Sequence, residues 1–192
     1  MKNNPYILIL TLFIITLFSC TTKNKIVPNG YFRIDLPEKK YKTHNFKNCN
    51  FSTEIPEYLT ISIHSQNSCW ITLSNNPNNI NIHLSYHKIN NNLDSLLKDS
   101  HNLVYEGHYR KADGIWETPG SNLNSMIYEL YGEVATPIQF YVTDKKNHFL
   151  RGSMYPSTIN KMIRINRDSL NPIINFYKKD IEKIIESIHW KP

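Results

Sequence analysis

The chain has 192 residues, of which 22 are basic and 16 acidic, and its formal net charge is +6 at pH 7. This length suits one domain with a single core. The basic residues are scattered, without an arginine-rich tract or a nucleic-acid-binding motif, which excludes nucleic acid as an expected partner. The 6 glycines leave few places where a backbone loop can cradle a cofactor phosphate, and no cofactor is predicted.

The beginning of the chain predicts an export signal. Lys2 precedes an almost unbroken apolar run from Ile7 to Ile15, which is shorter than the ~20 residues that span a bilayer. The run closes on Leu17-Phe18-Ser19-Cys20, which resembles a bacterial lipobox, where the cysteine is acylated and the signal is cut before it. We therefore predict a signal peptide over residues 1–19 and a lipid anchor on Cys20 that holds the protein to a membrane. A plain export signal that ends near a cysteine is the alternative.

The other two cysteines, Cys49 and Cys69, form an even pair in an exported protein, and this predicts a disulfide. Closing that loop of about 20 residues would stabilise the fold by ~3 kcal/mol if the effect is the lost entropy of the unfolded chain. A pair of buried free thiols is the alternative. Neither cysteine lies in a sequence setting that would activate a thiol, so a catalytic thiol is not expected.

After the lipid site, residues 20–30 form a polar tether, and residues 31–192 are predicted to form a single domain. The strict alternation of apolar and polar residues from Ile80 to Tyr86 is the clearest sign of a half-buried strand. Residues 38–50 are polar and show no clear period. Further strands in this half of the chain are predicted at Tyr31–Pro37, Phe51–Ile55, Leu59–Ile63 and Trp70–Leu73.

The second half of the chain predicts two helices and three more strands. Asn92 is a suitable N-cap for a helix that begins at Leu93 and ends before Gly107. Residues 107–123 give no clear pattern. The predicted strands carry apolar or aromatic residues on both faces, so we expect them to be covered on both sides. These strands are Ser125–Tyr131, Ile138–Asp144 and His148–Tyr155.

The chain closes with an amphipathic helix, for which Asn171 is the predicted N-cap and Pro172 the first helical residue. Strands in hairpin succession with two helices predict an α+β fold, with helices packed on an antiparallel sheet and a long C-terminal amphipathic helix. The expected apolar stripe of that helix consists of Ile173, Ile174, Tyr177, Ile181, Ile184, Ile185 and Ile188.

Signatures of catalysis are absent from the sequence, including the Gly-x-Ser-x-Gly elbow and the His-Glu-x-x-His helix. His83 and His87 lie four residues apart on a predicted strand, where ~13 Å would separate them, too far to share a metal ion. Glu129 and Asp144 carry carboxylates, but their spacing does not force either into a pair. We predict neither catalytic residues nor a metal site, and no enzymatic activity.

Aromatic residues are concentrated in the C-terminal half of the chain, and most are expected in the core. A subset could instead line a ligand groove or a partner-binding face. We select Tyr131, Tyr141 and Tyr155, together with Arg151, as this candidate surface.

Several blocks of sequence occur in a defined order behind the lipobox. They are Gly30–Pro37, Phe51–Pro56, Cys69-Trp70, Ile82–Tyr86, Thr136–Asp144 and His148–Gly152. In this order they resemble the GldD family of gliding motility lipoproteins, over essentially the whole mature chain. The resemblance implies a cell-envelope lipoprotein needed for gliding and for the associated type IX secretion machinery, and it supplies no catalytic residues. The C-terminal hairpins and last helix are similar to the PsbP-type α/β sandwich, which is an analogy of fold alone.

We therefore expect a non-enzymatic accessory or scaffold lipoprotein that binds envelope proteins of the gliding and secretion machinery. A lipoprotein that binds a glycan or a lipid is the second hypothesis, and an envelope hydrolase is the third. Thr21 stands where some bacteria place an aspartate that retains lipoproteins at the inner membrane, and Lys23-Asn24-Lys25 lacks the acidic residues of a surface-export tag. The expected location is the outer membrane, with the domain in the periplasm.

Overall fold

The computed structural model describes residues 35–108, 110–121, 124–156 and 170–192, which belong to one compact unit. The predicted signal peptide, Cys20 and the tether lie outside the described residues. A short 3₁₀ helix covers Lys47–Cys49. The other elements are β1 (Tyr41–Phe46), β2 (Phe51–Pro56), β3 (Thr60–Ile63), β4 (Trp70–Asn75), β5 (Ile80–Lys88), α1 (Leu93–His108), β6 (Ala112–Pro119), β7 (Ser125–Gly132), β8 (Ile138–Thr143), β9 (His148–Pro156), α2 (Asn171–Glu186) and β10 (His189–Trp190).

The strands form two antiparallel sheets. The large sheet has seven strands in the order β3-β4-β5-β9-β8-β7-β6, and the small sheet has three in the order β1-β2-β10. Consecutive strands pair as hairpins at β1–β2, at β3–β4–β5 and at β6–β7–β8–β9. The two remaining pairings join β9 to β5 and β10 to β2. The predicted α+β class, the antiparallel pairing and the long C-terminal helix are confirmed.

One predicted strand is wrong in its described part, and three strands of the structure, β1, β6 and β10, were not predicted. The expected strand over residues 31–37 is wrong for its described part, because residues 35–40 have no regular structure. β1 lies instead in the segment for which no period was found, and β6 lies in the other unassigned segment. Both are edge strands whose side chains are largely solvent-exposed, so their sequences carry little hydrophobic alternation. β10 has two residues and is too short to leave a pattern.

Helix α2 packs its apolar stripe against both sheets and unites them in one core. Ile181, Ile184 and Ile185 are fully buried and share this core with β2, β4, β5, β8 and β9. The hydroxyl of Thr53 in β2 donates to the backbone carbonyl of Ile184 at 2.7 Å, which fixes the helix on the small sheet. The burial of such a stripe is the main source of stability for a helix of this length.

A carboxylate interrupts the apolar stripe of α2. Asp180 is completely buried, and its Oδ1 accepts hydrogen bonds from Lys39 Nζ at 2.6 Å and from the Tyr41 hydroxyl at 2.8 Å. Its Oδ2 accepts a hydrogen bond from the Tyr58 hydroxyl. Lys39 also lies 3.6 Å from the ring centroid of Phe176. Burial and these contacts with Asp180 raise the pKa of both tyrosines, so both hydroxyls stay protonated as donors.

The predicted disulfide between Cys49 and Cys69 is present, and the two Cα atoms lie 5.3 Å apart. Cys49 ends the 3₁₀ helix next to the small sheet, while Cys69 immediately precedes β4 of the large sheet. The bond therefore joins the two sheets near the beginning of the domain, in addition to the contacts that α2 makes with both.

Because a buried ion pair is costly to break from one side, Lys39→Met is expected to lower the free energy of unfolding by about 2 kcal/mol. The two tyrosine hydroxyls remain and limit the loss. Urea denaturation of the purified protein measures this change. Lys40→Met is the matched control, because Lys40 pairs only with the exposed Glu38, and it should change stability by less than about 0.5 kcal/mol. Equal effects of the two variants would contradict a stabilising role for the buried pair.

Candidate functional site

The side chains of the large sheet divide into two faces, because successive residues of a strand point to opposite sides. The inner face packs on α2 and includes the buried residues Ile82, Phe140 and Leu150. The opposite face, here called the outer face, is far more polar. Strand register places one side chain from each strand in a row across it, namely Ser62, Thr72, His83, Ser153, Gln139, Tyr128 and Glu117.

Helix α1 covers only one half of the outer face. Val104 is buried against Tyr128 and Leu130 of β7, and the hydroxyl of Tyr105 donates to Glu117 of β6. These contacts place α1 over the half of the sheet made by β6, β7 and β8. On β3, β4 and β5, the side chains of the outer face are exposed or half-buried. This part, with the adjacent side of β9, is the open half of the outer face.

Aromatic and polar side chains occupy the open half. Trp70 on β4 is 46% exposed and Tyr155 on β9 is 39% exposed. Between them, His83 on β5 makes an edge contact with the ring of Tyr155 at 5.1 Å between centroids, and its Nδ1 lies 2.9 Å from Thr72 Oγ1. Partial burial lowers the pKa of His83, which favours a neutral ring. The surface thus combines large apolar areas with side chains that can donate and accept hydrogen bonds.

A groove of about 570 Å³ runs between α1 and this open half. Arg151 on β9 lines one side, and residues of α1 line the other, including Asp99, Leu103 and Glu106. Burial lowers the pKa of Arg151, and the charge of Asp99 opposes that shift only in part. His87, on the next strand, also has a pKa lowered by burial and by the charge of Arg151. The groove thus holds one half-buried guanidinium, on its sheet side, and two exposed carboxylates, on its α1 side.

The structure brings together three of the four residues of the predicted surface. Arg151 is the register partner of Tyr141 on β8, and Tyr155 lies four residues further along the same face of β9. Tyr141 is half-buried and stacks on Phe149 at 5.6 Å between ring centroids. Tyr141 also packs against the cluster of Val104 and Tyr128, so it belongs to the covered part of the face, where burial raises its pKa. Arg151 and Tyr155 border the open half.

Tyr131 lies elsewhere, with its side chain on the inner side of β7. It is 48% exposed and lines a separate cavity of about 410 Å³ beside the beginning of α2. Ile174 and Asn175 of α2 and Glu129 of β7 line the same cavity. A surface that included Arg151 and Tyr131 would have to pass around the edge of the sheet, so the two are not parts of one site.

Of the residues considered for acid–base chemistry, Asp144 and His148 lie together, with Asp144 Oδ2 4.0 Å from His148 Nε2, whereas Glu129 lies apart from both. Glu129 forms an ion pair with Lys178 at 2.7 Å on the inner side of the large sheet. At the other end of the sheet, Asp144 accepts three backbone hydrogen bonds in the β8–β9 turn, which lower its pKa although burial opposes the shift. His148 is buried, with Nδ1 2.8 Å from the Tyr86 hydroxyl and its ring stacked on Trp190. Neither Asp144 nor His148 lines the groove beside α1 or the cavity near Tyr131.

Metal-binding clusters and membrane-spanning helices are both absent from the described residues. No group of three histidine, cysteine, aspartate or glutamate side chains in this part of the chain is arranged to hold a metal ion. Among the helices that the structure describes, none has the length and apolar character required to cross a membrane.

Trp70 and His83 were not predicted as surface residues, although the sequence contains the signal for one of them. The alternation of β5 that identifies Ile82 and Leu84 as buried also places His83 on the opposite face. What the sequence could not show is which part of that face α1 covers. This depends on the path of α1 across the sheet rather than on the pattern of any strand.

Comparison with a protein-family model agrees with the resemblance that the sequence blocks carry. A family model described as gliding motility lipoprotein GldD matches residues 22–190. No curated protein sequence matches the chain significantly. Among solved structures, the chain is similar to the solution structure of cyanobacterial PsbP (CyanoP) from Synechocystis sp. PCC 6803, with 8% identity, a TM-score of 0.49, and coverage of 85% of this chain and 99% of the other.

Truncation to alanine should change the free energy of unfolding little for the exposed aromatic residues of the outer face and strongly for the packed ones. Trp70→Ala and Tyr155→Ala are expected to change the free energy of unfolding by no more than about 1 kcal/mol, since both side chains are largely exposed. Tyr141→Ala should cost about 2 kcal/mol or more, because it removes a ring stacked on Phe149. Thermal and urea denaturation of the three variants measure the difference. If Trp70→Ala lowered the free energy of unfolding as much as Tyr141→Ala does, Trp70 would be a packed residue and not an exposed one.

Proposed function

This chain belongs to the GldD family of gliding motility lipoproteins, and we propose that it acts as a non-enzymatic scaffold of the gliding and type IX secretion machinery. In this role the protein binds another envelope protein through the open half of the outer face. The lipid on Cys20 holds the domain at the membrane, where that partner is found.

The observation that carries this proposal is the open half of the outer face, with Trp70 and Tyr155 exposed at its two sides. Exposed tryptophan and tyrosine side chains, together with arginine, are the residues that most often dominate protein–protein binding energies. Their large rings lose little conformational entropy on binding, because each has only two rotatable side-chain bonds. The strands below hold them in fixed positions, which reduces the entropic cost of association further.

The two cavities described above favour the scaffold over the alternative functions. A lipid-binding protein needs a deep pocket with mostly apolar walls. The groove beside α1 is instead lined by Asp99, Glu106 and Arg151, and the cavity near Tyr131 is lined by both carboxylates and aliphatic side chains. A hydrolase needs convergent titratable groups in a cleft, whereas the adjacent Asp144 and His148 line neither of these two cavities and Glu129 is held in an ion pair with Lys178.

The proposed location is the outer membrane, with the domain in the periplasm. The proposal rests on Thr21 in place of an aspartate after the lipid site and on the basic and neutral residues Lys23-Asn24-Lys25 that follow. A disulfide between Cys49 and Cys69 is consistent with an oxidising compartment.

Crosslinking in intact cells, followed by affinity purification of the full-length tagged protein and mass spectrometry, tests the scaffold role. We expect gliding or type IX secretion components to be enriched with the wild-type protein. The double variant Trp70→Ala/Tyr155→Ala should lose them while keeping its abundance and melting temperature. Trp116→Ala is the matched control, because Trp116 is 67% exposed but lies on the inner side of β6. Recovery of abundant, unrelated envelope proteins alone would show that the scaffold proposal is wrong.

Lipidation and location are tested together by fractionation. The wild-type protein should incorporate labelled palmitate, sediment with outer-membrane markers, and resist protease until the outer membrane is permeabilised. Cys20→Ala removes the thiol that is acylated, so this variant should lose the label and keep its unprocessed signal. Sedimentation with the inner membrane, or cleavage by protease in intact cells, would contradict the proposed location.

A further inference from the structure

Arg151 is the cation in the described part of the chain whose charge is least well compensated for its burial. No described residue accepts a hydrogen bond from its guanidinium or forms an ion pair with it, although a guanidinium has five N–H donors. Asp99, the one carboxylate that favours its charged form, is itself solvent-exposed. By comparison, Lys39 and Lys178 each have a carboxylate oxygen within 2.7 Å.

From this arrangement, and on the basis of the proposed scaffold function, we propose that Arg151 binds a carboxylate of the partner protein. The carboxylate belongs to an aspartate or glutamate side chain, or to a chain terminus, in a segment that enters the groove beside α1. Arginine is suited to this task because its planar fork can donate two parallel hydrogen bonds to one carboxylate.

The groove supports a peptide segment as the occupant. Leu103 on α1 is 46% exposed, although leucine is usually buried, and it stands across the groove from Arg151. Trp70, Ser85 and Arg151 are register partners in one row of the outer face. At ~4.8 Å between strands, Trp70 and Arg151 are thus ~10 Å apart. A segment with one acidic residue flanked by apolar residues would meet Leu103, Arg151 and Trp70 together.

The charges of the groove also limit the net charge of the partner segment that carries the carboxylate. Asp99 and Glu106 border Arg151 on the α1 side, so a highly acidic segment would be repelled while a single carboxylate is accepted. The partner segment is therefore expected to carry one acidic residue opposite Arg151 and neutral or basic residues opposite α1.

A photocrosslinking benzophenone amino acid in place of Leu103, in the full-length lipoprotein in cells, tests this proposal. The crosslinked partner peptide, sequenced by mass spectrometry, should contain an aspartate, a glutamate or a chain terminus at or next to the crosslinked site. Arg151→Gln should reduce the yield of that product about tenfold or more, since one charge-assisted pair is lost. Because no described residue pairs with the Arg151 guanidinium, the same variant should melt at the wild-type temperature or above it.

A charge exchange makes the test specific for the pair. Arg151→Glu should abolish the product, and an arginine in place of the identified acidic residue of the partner should restore it. The crosslinker in place of Trp116 is the control and should give different products. The inference would be overturned if Arg151→Gln left the yield unchanged, if it lowered the melting temperature as much as Lys39→Met does, or if the product were a glycan or a lipid.

The failure of this inference is distinguishable from failure of the scaffold role. If affinity purification recovers the motility or secretion components, and their recovery depends on Trp70 but not on Arg151, the scaffold role stands and the carboxylate contact is wrong. If those components are not recovered at all, the scaffold role is wrong and the contact falls with it.

Discussion

The buried carboxylate of Asp180 sets the constraint on which the arrangement of the domain depends. A charged group at the centre of an apolar helix stripe is tolerated only where other parts of the chain bring donors to it. Here the donors come from Lys39 and Tyr41 at the beginning of the domain and from Tyr58 after β2. The small sheet therefore has a defined position on α2, and a purely apolar stripe would specify that position less strictly.

Because α2 occupies the inner side of both sheets, α1 is the one described helix that can cover the outer face of the large sheet. One helix of 16 residues is about 24 Å long, and it cannot cover seven strands that are ~4.8 Å apart. The strands beneath α1 carry Tyr128 and Leu130, whereas the strands beyond it carry Thr72 and Ser85. The residue types match this division, except at Trp70 and Tyr155. These two exposed aromatic side chains are the residues on which the scaffold proposal rests.

The strong sequence patterns identified the elements that are buried on one side. β5 alternates strictly and α2 repeats isoleucine at helical spacing, and both lie in the core as predicted. The sequence did not reveal β1 and β6, because edge strands exposed to solvent need no hydrophobic alternation. It also did not reveal Asp180 as a buried residue, since a single aspartate among lysines and glutamates of a helix usually faces water. Its burial depends on donors that lie about 140 residues earlier in the chain, so the local sequence around Asp180 does not indicate it.

The sequence also did not reveal which residues of the predicted surface lie together in the fold. Tyr131, Tyr141 and Tyr155 belong to one aromatic-rich stretch of sequence, but strand register separates them into a cavity, a packed stack and an open surface. Only the fold distinguishes Arg151 from other basic residues, because it half-buries the guanidinium and leaves the nearby carboxylate of Asp99 in solvent. A glutamine at this position would avoid the cost of burying a charge. No described residue accepts a hydrogen bond from this guanidinium, and the proposed partner carboxylate would supply the acceptors that the described residues do not.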